Sequence, residues 1–167
     1  KLGMYEHAYQ NLKKIFDMDH KKVFDQYLYQ YKSKFGERYD EFIDYCCEKS
    51  CDIVQPLWNI GQKELFDKYF NRLKNAFGYK FVDHFYKRNY EIIKPLWDSW
   101  QDELFDGYFD RLKNAFGESF VDCFFENSYK VLENLSNTGE EELFYEYFNR
   151  LKTKFGKRFI SHIQNHN

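Results

Sequence analysis

Residues 64–78, ELFDKYFNRLKNAFG, return almost unchanged at 103–117 as ELFDGYFDRLKNAFG. Thirteen of fifteen positions are identical, and the two differences are Lys68/Gly107 and Asn71/Asp110. A third copy, ELFYEYFNRLKTKFG, occupies 142–156, and a more divergent one, KVFDQYLYQYKSKFG, occupies 22–36. The closing glycines Gly36, Gly78, Gly117 and Gly156 are 42, 39 and 39 residues apart. A period in that range is the mark of stacked supersecondary units, each too thin to bury its own apolar face. The first step carries about three extra residues, within GERYDEF.

In the second copy Leu65, Phe66, Tyr69, Phe70, Leu73, Ala76 and Phe77 recur at helical spacing, with Asp67, Lys68, Asn71, Lys74 and Asn75 opposite. That is an amphipathic helix of about four turns. The Phe-Gly that ends each copy predicts a left-handed glycine cap, and the basic residues of the last turn suit the helix dipole. Phe77 and Phe116, one residue before the cap, are expected to be core anchors. Between the copies runs a second repeated segment, at 42–60, 81–100 and 120–139, where Phe81, Val82, Phe85, Ile92, Ile93 and Leu96 keep the i, i+3/i+4 spacing. Pro56 and Pro95 near its end are expected to kink or stop the helix. Asn137-Thr138-Gly139, ahead of three glutamates, reads as the start of the next one. The expected fold is all-α: one domain, 1–167, of tandem two-helix units at approximately 4–36, 42–78, 81–117 and 120–156, with a partial closing helix at 157–167.

Composition narrows the function. Lys plus Arg number 25 against 27 Asp plus Glu, a formal net charge of −2, so no basic surface points to nucleic acid. Aromatic residues make up 22% of the chain, and the two prolines and eight glycines are few, which favours packed helices with a ring-built core over disorder. No run approaches the roughly 20 apolar residues of a membrane span. The chain opens at Lys1 with no signal-like segment, as expected of a processed or trimmed product. The single triplet Asn134-Leu135-Ser136 is near chance level as a glycosylation signal.

Catalytic chemistry is sought where one copy breaks the pattern. The column Tyr45, His84, Cys123, His162 is spaced by 39 residues each time. A zinc ion needs its donors about 2.0–2.3 Å from one point, and neighbouring helix axes lie about 8–10 Å apart, so only adjacent members could share a metal; packing positions are the expectation. Cys47 and Cys51, at i, i+4, read as buried thiols, with a disulfide among Cys46, Cys47, Cys51 and Cys123 as the other choice. Glu64, Glu103 and Glu142 recur as first-turn dipole partners. The column Arg72, Arg111, Arg150 flanks the apolar stripe, where arginine stems cover a core edge; a ligand-binding ladder is the other choice. With no nucleophile elbow, phosphate loop, HExxH or CxxC, the expectation is no enzyme, no metal and no cofactor.

The two-helix period is similar in kind to the tetratricopeptide and HEAT families, without their signatures. The stretches Tyr45-Cys46-Cys47 in FIDYCCEKSC and Cys123 in FVDCFFENSY resemble the bicycle proteins, small helical secreted effectors of gall-forming aphids marked by paired Cys-Tyr-Cys motifs; that order itself does not occur here. The resemblance implies secretion into a host, in preference to a cytoplasmic location, and an unknown host target, not an activity. The function expected from the residues is a non-enzymatic helical-repeat protein that binds a protein partner. The alternative is a carrier holding a lipid or other apolar ligand in its aromatic core. Partner contact is expected where the copies differ: at Trp58, Trp97 and Trp100, which the last unit replaces around Ser136, and at Tyr145, which stands against Asp67 and Asp106. The tryptophans have a second reading, as staples between the turn and the next helix.

Overall fold

A computed structural model describes residues 2–166. The chain is all-α, with no strand among the described residues. The helices are α1 (Leu2–Asp17), α2 (Lys21–Phe35), α3 (Tyr39–Asn59), α4 (Lys63–Phe77), α5 (Tyr79–Asp98), α6 (Asp102–Phe116), α7 (Glu118–Asn137), α8 (Glu141–Phe155) and α9 (Lys157–Gln164). The extra residues after Gly36 form a 3₁₀ turn, Gly36–Arg38. No helix among the described residues is long and apolar enough to cross a membrane. The chain divides into two compact units, Lys1–Phe85 and Tyr86–Asn167.

In the first unit α1 pairs with α2, α3 pairs with α4, and α3 also lies against α1 and α2. Its core is built of rings. Tyr5 meets Phe35 edge-on at 5.2 Å, and Phe35 lies 4.7 Å from Phe42. Phe70 contacts Phe81 and Phe85, at 5.1 and 5.3 Å, so the start of α5 closes this core. In the second unit α7 carries α6, α8 and α9. Phe124 sits among Phe105, Phe109 and Phe155 at 5.2–5.7 Å, and Phe125 among Phe155 and Phe159. Offset and edge-to-face pairs of this kind contribute beyond the area they bury, about 0.5–1.5 kcal/mol each.

Several local expectations need correction. Leu65 is exposed; the buried stripe of α4 is Phe66, Phe70 and Leu73, an i, i+4, i+7 line that leaves Leu65 one step around the helix. Phe77 and Phe116 are half-buried, with Phe77 against Phe24 and Phe116 against Tyr86, each within its own unit. Pro56 and Pro95 do not stop their helices, which run on to Asn59 and Asp98; their carbonyls still accept, from the Ile60 and Ser99 N–H groups. Asn137 ends α7, and the Thr138 hydroxyl donates back to the carbonyls of Asn134 and Leu135, so these residues finish α7 and do not cap α8. Gly117 has the expected positive φ of 68°, but its ψ of −148° is far from the left-handed helical value. It lies in a region open essentially to glycine alone, which lets α7 follow α6 with this single residue between them.

Candidate functional site

The turn from α5 to α6 combines features that seldom coincide. The Gln101 N–H donates to the Leu96 carbonyl at 2.9 Å and the Trp100 N–H to that of Trp97 at 3.2 Å. This is the wrapped hydrogen-bond pattern of a Schellman turn, which needs a positive-φ residue at its centre. Glycine holds the corresponding centre in the α3–α4 and α7–α8 turns, with Gly61 and Gly139 at φ 74° and 73°. Here the centre is Trp100, at φ 59° and 56% exposed. A bulky L-residue in that conformation is an outlier that costs on the order of 1–2 kcal/mol.

What holds the Trp100 ring is Arg150 of α8. Its guanidinium lies 3.5 Å from the Trp100 ring centre and 4.0 Å from that of Trp97. Its Nη1 donates to the Trp97 carbonyl at 2.8 Å, and its Nη2 lies 3.3 Å from Asp102 Oδ1. The arginine thus caps the negative end of α5 while its plane is shared by two indoles, and only 14% of its side chain is exposed. Lys154, one turn on, pairs with Asp106 of α6. Together with Glu146, Asn149 and Thr153 these side chains line an open groove. In the first unit Arg72 of α4 makes the related arrangement at the end of α1, 4.3 Å from the Phe16 ring, donating to the Phe16 carbonyl and 3.5 Å from Asp19. Those two arginines therefore tie a helix end to a later helix, the covering reading of their column.

The four partner-contact residues expected from sequence are placed differently from one another. Trp58, in the first unit, is 8% exposed and packs on Phe66 at 5.1 Å. Trp97, in the second, is 2% exposed and packs on Phe105 at 5.0 Å. Both lie inside the last turn of their helix, eight residues before the ring they meet, which is how a staple works. Trp100 and Tyr145 present their rings to solvent, at 56% and 60% exposure. Tyr145 stands five residues before Arg150, about 140° around α8, so it is not part of the Trp100 group.

The spaced column has its own chemistry. The Tyr45 hydroxyl donates to the Glu6 carboxylate, which pulls the Glu6 carboxyl below its ordinary value, while burial and that bond push the tyrosine up to about 12. His84 faces two carboxylates with its two different nitrogens, Nε2 toward Asp44 at 3.2 Å and Nδ1 toward Glu48 at 3.3 Å. Cys123 accepts from Asn127 at its carbonyl and its sulfur. His162 turns Nε2 to Glu126 Oε2 at 3.2 Å, and there His166, just past α9, joins it: its Nε2 lies 2.7 Å from the same oxygen and 3.3 Å from His162 Nε2. His166 stands outside the 39-residue column, and its i, i+4 spacing from His162 is the one trace of this pairing in the sequence. The four cysteines form no disulfide with one another, and Cys46, Cys47 and Cys51 are fully buried, so the disulfide choice is set aside. Comparison with family models, curated proteins and solved structures found no match for this chain.

Proposed function

We propose that this chain is a non-enzymatic helical protein that binds a protein partner, and that its contact edge is the α5–α6 turn with Trp100 as anchor. The observation that carries this reading is an exposed tryptophan in a backbone conformation that glycine would adopt at lower cost, with its ring already stacked on an arginine. Local strain of this kind persists where it serves something other than folding. Tryptophan and arginine are also the side chains most enriched among residues that dominate binding energy, and a ring fixed in advance loses less entropy on contact. In this reading the near-identical peptides are a tandem αα scaffold, and function sits where the copies differ.

The carrier alternative draws less support. The pocket bounded by Phe16, Phe24, Arg72 and Ala76 measures about 150 Å³, below the roughly 300 Å³ at which ligand pockets begin, and the space among Tyr9, Leu12, Leu73 and Phe77 about 10 Å³. An unbiased pull-down with the wild-type chain and with Trp100→Gly as paired baits tests the proposal. A protein captured by the first and lost from the second, with equal far-ultraviolet circular dichroism, supports it. Equal capture by both baits sinks it. An apolar ligand recovered by organic extraction of the purified protein would favour the carrier instead.

A further inference from the structure

We propose that Glu126, His162 and His166 form a binding site for one divalent transition-metal ion of the zinc class. The three donor atoms, one carboxylate oxygen and two imidazole Nε2 atoms, make a triangle with edges of 2.7, 3.2 and 3.3 Å. A tetrahedral zinc site with bonds of about 2.0–2.1 Å sets its donors roughly 3.3 Å apart, and a triangle this small leaves a point about 2 Å from all three atoms. The donors are of the right kind, since two imidazoles and a carboxylate suit zinc and its neighbours in the first transition row.

The ligands are held from two directions. Glu126 projects from the middle of α7, and His162 from α9. The His166 ring is stacked on Tyr129 of α7, with centroids 4.4 Å apart and planes 9° apart. The His162 ring stands edge-on to Phe125 of α7 at 5.6 Å. Aromatic walls fix both imidazoles before any ion arrives, which lowers the ordering cost of binding. The side chains are 19%, 29% and 39% exposed for His162, His166 and Glu126, so the fourth position faces solvent and takes a water or an outside ligand. Another imidazole–carboxylate group, around His84, lacks this geometry: its two carboxylates meet opposite nitrogens of one ring, so no single point lies within bonding distance of all its donors. An ion at Glu126 would clip the chain beyond α9 onto α7.

The test is calorimetric titration of the chelator-stripped full chain with zinc chloride, beside cobalt(II) absorption spectroscopy. Expected are one zinc per chain and tetrahedral cobalt bands without a thiolate charge-transfer band. His166→Ala and Glu126→Gln should each weaken zinc binding more than about tenfold with unchanged circular dichroism, while His84→Ala binds as wild type does. Absence of zinc binding by the wild-type chain, equal binding by His166→Ala and Glu126→Gln, loss on His84→Ala, or a cobalt–thiolate band placing the ion on the cysteines would each overturn the site.

Discussion

Trp97 and Trp100 stand three residues apart and share one arginine, yet their contexts predict opposite responses to substitution. Trp97 is enclosed by Phe105, Phe124, Tyr147 and Phe155, so Trp97→Ala should cost about 3–5 kcal/mol of stability in urea titration. Trp100→Gly removes a cation–π contact worth about 0.5–1 kcal/mol and relieves a positive-φ strain of about 1–2 kcal/mol, so the urea midpoint should not fall below that of wild type. A large loss of stability on Trp100→Gly would make that ring a structural element. Thiol chemistry divides the cysteines in the same way. Burial pushes the Cys47 thiol up to about 12 and Cys46 further still, so neither offers a thiolate to solvent at neutral pH. A disulfide-exchange reagent should therefore label the half-exposed Cys123 first and Cys46, Cys47 and Cys51 only on unfolding; rapid labelling of all four in the native protein would contradict the buried placement.

At the scale of elements, the sharp joint between α6 and α7 rests on Gly117. A Cβ there would meet nothing within 4 Å, so the cost of Gly117→Ala is the backbone's alone, about 1–3 kcal/mol by thermal or urea unfolding. Gly117→Asn should bring no rescue, because asparagine tolerates the left-handed helical region and not a ψ of −148°. Rescue by asparagine would show that the joint relaxes to an ordinary cap. Helix existence and length were legible from the 3.6-residue pattern, and the 3₁₀ turn falls on the extra residues after Gly36. The ends were not: Pro56, Pro95, Asn137 and Thr138 carry boundary signals, but a proline three residues before a helix C-terminus removes one N–H donor while its own carbonyl still accepts from the next turn, and a threonine hydroxyl can bond in either direction along the chain.

Across the whole chain the buried acids couple stability to alkaline pH. An unfolded thiol releases its proton near 9 and an unfolded phenol near 10, whereas burial holds Cys47 and Tyr9 protonated up to about 12. In that window the native state binds more protons than the unfolded one, so stability is full below about pH 9 and falls as pH rises toward 12. The urea midpoint should drop between about pH 8 and pH 10.5, and an unchanged midpoint would show that these groups are hydrated in the native state. Far-ultraviolet circular dichroism should be dominated by helix throughout the plateau.

The sequence by itself determined that the chain is helical and aromatic-cored, with no helix among the described residues long and apolar enough to cross a membrane, because those properties follow from periodicity and composition that act within about four residues along the chain. It also marked Trp100 and His162 as places to look. Only the tertiary structure decided which tryptophan is staple and which is exposed, since Trp97 and Trp100 read alike until the turn sets one ring inward and the other out. Only the folded chain brings His166 onto Glu126, 40 residues away in sequence, and lays Arg150 over two indoles at the far end of another helix. Those meetings depend on how helices cross in space, which no local pattern encodes.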